Sequence, residues 1–222
     1  MLTLYTAARS RGFVCEWMLE EAGLPFAVRR LDVMAGEART PEHLAIHPLG
    51  AVPALRIEDA PLIESLAICL YVADLAPSGG LAPAPDHPDR AALLQWMVYA
   101  SATLEPALAA PFVRSLAVAP EDWSSVSTAA ERDAFARVVA PLAAGLERGH
   151  LVGEGFSAAD VCVGARLYWA DQVGLLASLP AARAYLQTLC RRPAFARAAA
   201  HDGGVVPSPT PGSSGRGAAS RG

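Results

Sequence analysis

The stretch His47-Pro48-Leu49-Gly50-Ala51-Val52-Pro53-Ala54-Leu55, with Glu64-Ser65 close behind it, constrains this chain more than any other feature. Pro53 has no N–H, so it belongs at a strand start or on a sheet edge rather than inside a ladder. Val52 then keeps backbone groups free of the sheet. With a cis Val52-Pro53 bond those groups face outward, where an extended backbone pairs with them as a strand pairs with a sheet edge. Ser65 opens the helical run Leu66 to Val72, so its hydroxyl and the first N–H groups of that helix form an anion site beside the Glu64 carboxylate. One edge therefore offers acceptors, donors and a carboxylate.

The 222 residues suffice for two compact domains with substantial cores. Hydrophobic residues make up 53% and charged residues 18%, an ordinary globular balance rather than that of a disordered chain. The net charge of -4 argues against a nucleic-acid partner, and every basic residue is Arg. No uninterrupted apolar segment reaches transmembrane length, and the chain begins directly with a strand-like run, so no membrane partner is expected. Cys15, Cys69, Cys162 and Cys190 are far apart, form no C-x-x-C pair and sit in apolar, helix-like surroundings. They read as buried free thiols in a cytoplasmic, reducing setting.

Leu2 to Tyr5 reads as a strand, Ser10 to Glu21 as a helix stopped by Gly23 and Pro25, and Phe26 to Leu31 as a second strand. Thr40-Pro41-Glu42 starts a helix with Pro in its first turn. Ala54 to Ile57 and Leu62-Ile63 read as two short strands around Glu58-Asp59, and the third helix ends near Asp74. This β-α-β-α-β-β-α order predicts a small mixed sheet covered by helices over residues 1–76. Residues 77–87, rich in Pro and Gly, form a linker. Residues 88–202 are all helical, with runs at about 88–114, 127–148, 158–175, 178–190 and 193–200. Ser157 and Asp160 fit a capping box with a structural role. The tail, 203–222, has too little apolar content to offset its ordering entropy and is expected to be disordered.

The Val-Pro pair, the Glu-Ser pair and Phe156-Ser157-Ala158-Ala159-Asp160 occur together in this order over roughly residues 1 to 200. In this the chain resembles the bacterial glutathione S-transferase family. The resemblance implies an α/β thioredoxin-like N-terminal domain plus an all-α C-terminal helical bundle. It implies that Val52, ahead of Pro53, pairs with the cysteine backbone of glutathione, and that Glu64 and Ser65 hold its γ-glutamyl group. Arg39, and similarly Arg11, fall where a basic residue meets the glycine carboxylate. Two departures are visible: Ala51 replaces a frequent Lys or Arg, and Ala38 stands where a His is common. Both imply fewer contacts to glutathione. The resemblance also implies a homodimer, built on the apolar end of the third helix together with the fourth.

Ser10, between the first strand and the first helix, is the expected catalytic residue, since Thr6 to Arg11 is similar to the family's active-site loop. A free thiol with pKa near 8.5 is only a few per cent thiolate at neutral pH. Lowering that pKa by about two units requires about 2.7 kcal/mol of differential stabilisation. A hydrogen bond to a charged group contributes about 1.5–3 kcal/mol and a helix N-terminus about 0.3–1 kcal/mol, which together suffice. Ser10 would also contact glutathione, or it serves as a plain helix cap. Tyr5 is a competing hydroxyl donor, though it lies within the first strand. Phe13, Tyr99, Leu104, Phe112 and Trp169 are candidates for a hydrophobic electrophile pocket. Glutathione enters as co-substrate, with no metal or prosthetic cofactor expected. The leading expectation is conjugation of glutathione to a small hydrophobic electrophile. The alternatives are a glutathione-dependent disulfide reductase or peroxidase, and a non-catalytic module for protein contact.

Overall fold

The computed structural model describes residues 1–76 and 80–202. The expected disorder of 203–222, and part of the expected linker, lie outside the described residues.

Four strands, β1 (Leu2–Thr6), β2 (Phe26–Arg30), β3 (Ala54–Ile57) and β4 (Ala60–Ile63), form one sheet in the order β2-β1-β3-β4. β1 pairs with β2 in parallel, while β3 runs antiparallel to both β1 and β4. The Val52-Pro53 bond is cis, and Pro53 immediately precedes the first paired residue of β3. It therefore marks a strand start. It does not mark an edge, because β3 lies between β1 and β4. Pro61 sits in β4, the last strand of the sheet, where a missing N–H costs no ladder bond on the open side.

Three helices belong to this half: α1 (Gly12–Ala22), α2 (Pro41–Leu44) and α3 (Ser65–Leu75). α1 starts two residues later than the sequence suggests, because Ser10 is spent on the turn before it. Gly23 closes α1 in the left-handed conformation, at φ 65°. Thr40 caps α2 by accepting the His43 N–H, with Pro41 in the first turn where its lack of an N–H costs nothing.

The second half contains α4 (Arg90–Tyr99), α5 (Glu105–Ser115), α6 (Ala129–Val139), α7 (Ala143–Arg148), α8 (Ala158–Gln172), α9 (Pro180–Cys190) and α10 (Pro193–Ala199). The sequence suggests one run from 88 to 114. In the structure α4 and α5 are joined by a π-type turn over Ala100–Leu104. Pro106 has no N–H to offer the carbonyl four residues back, and the widened turn accommodates it, with the Glu105 N–H reaching Ala100 instead. A 3₁₀ segment at Pro120–Ser125 was not anticipated. Thr128 and Glu131 form a capping box at the start of α6.

The halves meet where α1 and α3 pack on α8, and α1 also packs on α10. Phe13, Trp17, Tyr168 and Phe195 interlock there, with ring centroids 5.0–6.1 Å apart. Such pairs contribute about 0.5–1.5 kcal/mol each beyond the area they bury, so this cluster fixes the relative placement of the halves. Asp160 is wholly buried at the start of α8. It accepts hydrogen bonds from the Ser157 N–H at 2.7 Å, the Ser157 hydroxyl at 2.9 Å, the Leu151 N–H at 2.9 Å and the Tyr185 hydroxyl at 2.6 Å. The residue expected to close a capping box thus also ties the loop before α8 to α9. No helix among the described residues is long and apolar enough to cross a membrane.

Candidate active site

The sheet register brings the distant sequence signals to one end of the sheet. Ala54 pairs with both Tyr5 and Ile63. One step further along each strand stand Thr6 of β1, Pro53 before β3 and Glu64 after β4. The loop to Ser10, the Val52 backbone and the start of α3 therefore converge. Among the described residues neither the N–H nor the C=O of Val52 takes part in a backbone hydrogen bond, although Val52 adjoins a central strand. Free backbone groups at a sheet end are what an extended ligand needs.

Ser10 and Val52 both line a cleft of about 500 Å³ between the sheet domain and the helical domain. The Ser10 hydroxyl donates to the Ala7 carbonyl at 2.7 Å and accepts the Gly12 N–H at 3.1 Å. Ser10 lines the cleft and also closes the turn before α1, as donor to Ala7 and as acceptor from the first N–H of the helix, although Arg11 and not Ser10 is the residue that immediately precedes it. Gly12 is required by this turn, because a Cβ there would lie 1.7 Å from Thr6 Oγ1. Arg9, just before Ser10, holds φ 51°, a conformation uncommon for a side chain of this size. Its N–H donates to the Asp202 carboxylate at 2.9 Å and to the Asp202 carbonyl at 3.2 Å. Its guanidinium donates to Ser115 Oγ at 2.7 Å and lies 3.5 Å from the Trp123 ring centroid and 5.2 Å from that of Trp169. The end of the helical domain thus fastens the loop that carries Ser10.

Glu64 adopts φ 73° and ψ 114°, an outlying conformation for a non-glycine residue. Ser65 is buried at the first position of α3, and its carbonyl accepts the Cys15 thiol. Arg39 is exposed, and its Nη1 donates to the Leu49 carbonyl at 3.1 Å, bracing the segment that leads to Val52. His43 Nε2 lies 2.8 Å from the Ala51 carbonyl and, facing an acceptor, carries the proton. Burial and the neighbouring His43 ring push the His47 pKa below its ordinary value. Sequence reasoning missed this role of His43, which carries no motif. Ala38, in place of the expected His, is buried, and its carbonyl would clash with a Cβ at Gly50.

Of the five residues expected in the pocket, Phe13, Phe112 and Trp169 line the cleft. Tyr99 and Leu104 do not. Tyr99 turns to α6, packs edge-on against Trp96 and donates to the Val138 carbonyl at 2.9 Å, while Leu104 is fully buried in the core. The π-type turn, which follows Tyr99 and ends at Leu104, changes which helix face meets the cleft. Arg11 faces α5, where its Nε pairs with Glu105. Glu105 in turn accepts from the buried Arg166 at 2.8 Å, and both line the cleft. Tyr5 is buried against His43 and lines a separate hollow beside α2, away from Ser10. Among the described residues no cysteine lines the cleft. Hydrogen bonding among the buried thiols, together with burial, raises Cys69 and Cys162 well above the ordinary thiol range.

Residues 1–74 match the N-terminal domain of glutathione S-transferases and residues 107–193 match their C-terminal domain. A glutathione S-transferase of Xanthomonas campestris is 30% identical over 195 residues, which is 85% of this chain and 92% of that one. The structure of a glutathione S-transferase from Xylella fastidiosa superposes with a TM-score of 0.77 at 27% identity, covering 92% of this chain and all of the other. That of a Sulfitobacter glutathione transferase homologue with bound glutathione gives 0.73 at 31% identity, covering 90% of this chain and 97% of the other. With both domains matched in order along one chain, this protein belongs to the glutathione S-transferase family.

Proposed function

We propose that this protein binds glutathione along Val52 and Pro53 and at Glu64-Ser65, holds its thiol at Ser10 as a thiolate, and conjugates it to a small electrophile with an apolar body. The observation that carries the reading is the convergence of Ser10 and the unpaired Val52 backbone on one cleft walled by Phe13, Phe112 and Trp169. The related Sulfitobacter structure with bound glutathione supports the same ligand. To hold a thiolate, the Ser10 hydroxyl turns its proton from the Ala7 carbonyl to the sulfur, exchanging a neutral hydrogen bond for a charge-assisted one. The thiol proton leaves to solvent. The sulfur lone pair then forms the new bond to the electrophilic carbon, and the leaving group departs with its bonding pair.

Arg39 sits one segment away from Val52 and is assigned to the glycine carboxylate. The reading includes a homodimer in which the exposed apolar side chains Leu75, Leu94 and Val98, at the end of α3 and along α4, meet a second copy.

The test is the ultraviolet absorbance of thiolate as glutathione is titrated into the protein at neutral pH, repeated with Ser10→Ala. A saturable signal in the wild type that Ser10→Ala lacks supports the assignment. A signal of equal size in both proteins reduces Ser10 to a helix cap. No signal in either favours a non-catalytic binding module.

A further inference from the structure

The cleft carries a net charge that the apolar walls do not explain. Arg11, Glu105 and Arg166 line it. Glu105 gives one carboxylate oxygen to Arg11 Nε and the other to Arg166 Nη2. Two positive charges thus share one negative charge. Among the described residues no other acidic side chain lines the cleft, and neither guanidinium pairs with a second carboxylate. Arg166 is held almost entirely away from water, its side chain only 5% exposed, so its charge is weakly screened.

The two guanidiniums differ in what they have left to offer. Arg166 also donates to the Cys162 carbonyl and is fixed in the wall. Arg11 commits only its Nε to Glu105. Its two terminal nitrogens have no partner among the described residues, and its side chain lines the cleft while 66% exposed. A guanidinium with its terminal N–H groups free presents a planar fork that matches a carboxylate. Phe112, about two turns along α5 from Glu105, and Trp169, about one turn along α8 from Arg166, meet edge to face with centroids 5.0 Å apart and offer an apolar wall.

We infer that this cleft selects electrophiles that join a flat apolar body to a carboxylate, the body lying against Phe112 and Trp169 and the carboxylate on the free N–H groups of Arg11. The inference rests on the proposed thiolate chemistry and adds the charge of the second substrate to it. Arg11 then acts as a specificity-determining residue, and Glu105 holds its side chain over the cleft.

A matched pair of electrophiles tests this: 4-chloro-3,5-dinitrobenzoate and its uncharged methyl ester. In both, the glutathione sulfur bonds to the chlorinated ring carbon, chloride leaves with the bonding pair, and the thiol proton goes to solvent. The readout is the ratio of kcat/KM for the acid to that for the ester, each divided by its uncatalysed rate with glutathione. The wild type is expected to favour the acid about tenfold, the weak end of what a hydrogen bond between charged groups contributes, because Arg11 is largely exposed. Arg11→Gln is expected to bring the ratio close to one, and Arg11→Lys to restore part of it. A wild-type ratio at or below one overturns the inference while leaving the thiolate chemistry standing. So does an unchanged ratio in Arg11→Gln accompanied by a raised KM for glutathione, which would assign Arg11 to glutathione itself. No turnover of either compound, with no thiolate signal, removes the proposed function and this inference together.

Discussion

Asp202→Asn should make the protein less sensitive to alkaline pH, by an amount that follows from the burial of one carboxyl group. Asp202 is 4% exposed, at the end of the described chain, and accepts the Arg9 N–H that immediately precedes Ser10. Burial pushes its pKa from the ordinary 3.8 up to about 7. The Arg9 N–H and guanidinium pull it back down, as does Arg30, while Glu16 pushes it further up. Tyr168 also faces it, and His201 beside it pairs with Glu16. A folded-state pKa above the unfolded one means that the native protein binds this proton more tightly. The associated stability is fully present below about pH 4 and is lost as pH rises through about 7. A displacement of about three units corresponds to roughly 4 kcal/mol, a large share of the 5–15 kcal/mol typical of a folded protein. An amide in place of the acid has no proton to lose. Wild type and Asp202→Asn should therefore have similar unfolding free energies near pH 4, with the variant ahead by several kcal/mol at pH 8. Urea unfolding of both proteins at pH 4, 6 and 8 measures the difference directly, because every other titrating group is shared. A difference that stays flat across this range, or that favours the wild type at pH 8, would refute the reasoning.

Asp160→Ala should destabilise the protein by about 3–5 kcal/mol, since it strands the Leu151 N–H, the Ser157 N–H and the Tyr185 hydroxyl in the interior. A denaturation midpoint that moves by the equivalent of less than about 1 kcal/mol would contradict the role given to this carboxylate. Light scattering should return the mass of two chains for the wild type and of one chain for a Leu94→Asp, Val98→Asp double variant, because both side chains are exposed on α4. A single-chain mass for the wild type would dismiss the proposed dimer.

What was legible in the sequence was local. Pro53 before a strand, Glu64-Ser65 at a helix start, Thr40-Pro41 and the capping pair Ser157 and Asp160 each act within a few residues through backbone geometry and missing or satisfied N–H groups. The order of elements followed from the same signals. Periodicity failed at Tyr99 and Leu104, because α4 and α5 are apolar on several faces and a π-type turn between them changes the face presented to the cleft. No local pattern marks that insertion apart from Pro106.

The sequence by itself determined the two-part architecture and the chain segments that carry the candidate glutathione site, because strand starts, helix caps and Pro or Gly breaks are short-range effects. Tertiary structure alone decided the character of the cleft. Glu105 lies 94 residues from Arg11 and 61 from Arg166, and Asp202 lies 193 residues from Arg9. A charge acquires its meaning from its neighbours and from the water it is denied, and packing supplies both. Arg11, which the resemblance places at the glycine carboxylate of glutathione, shares Glu105 with Arg166 only because α5 and α8 pack beside it.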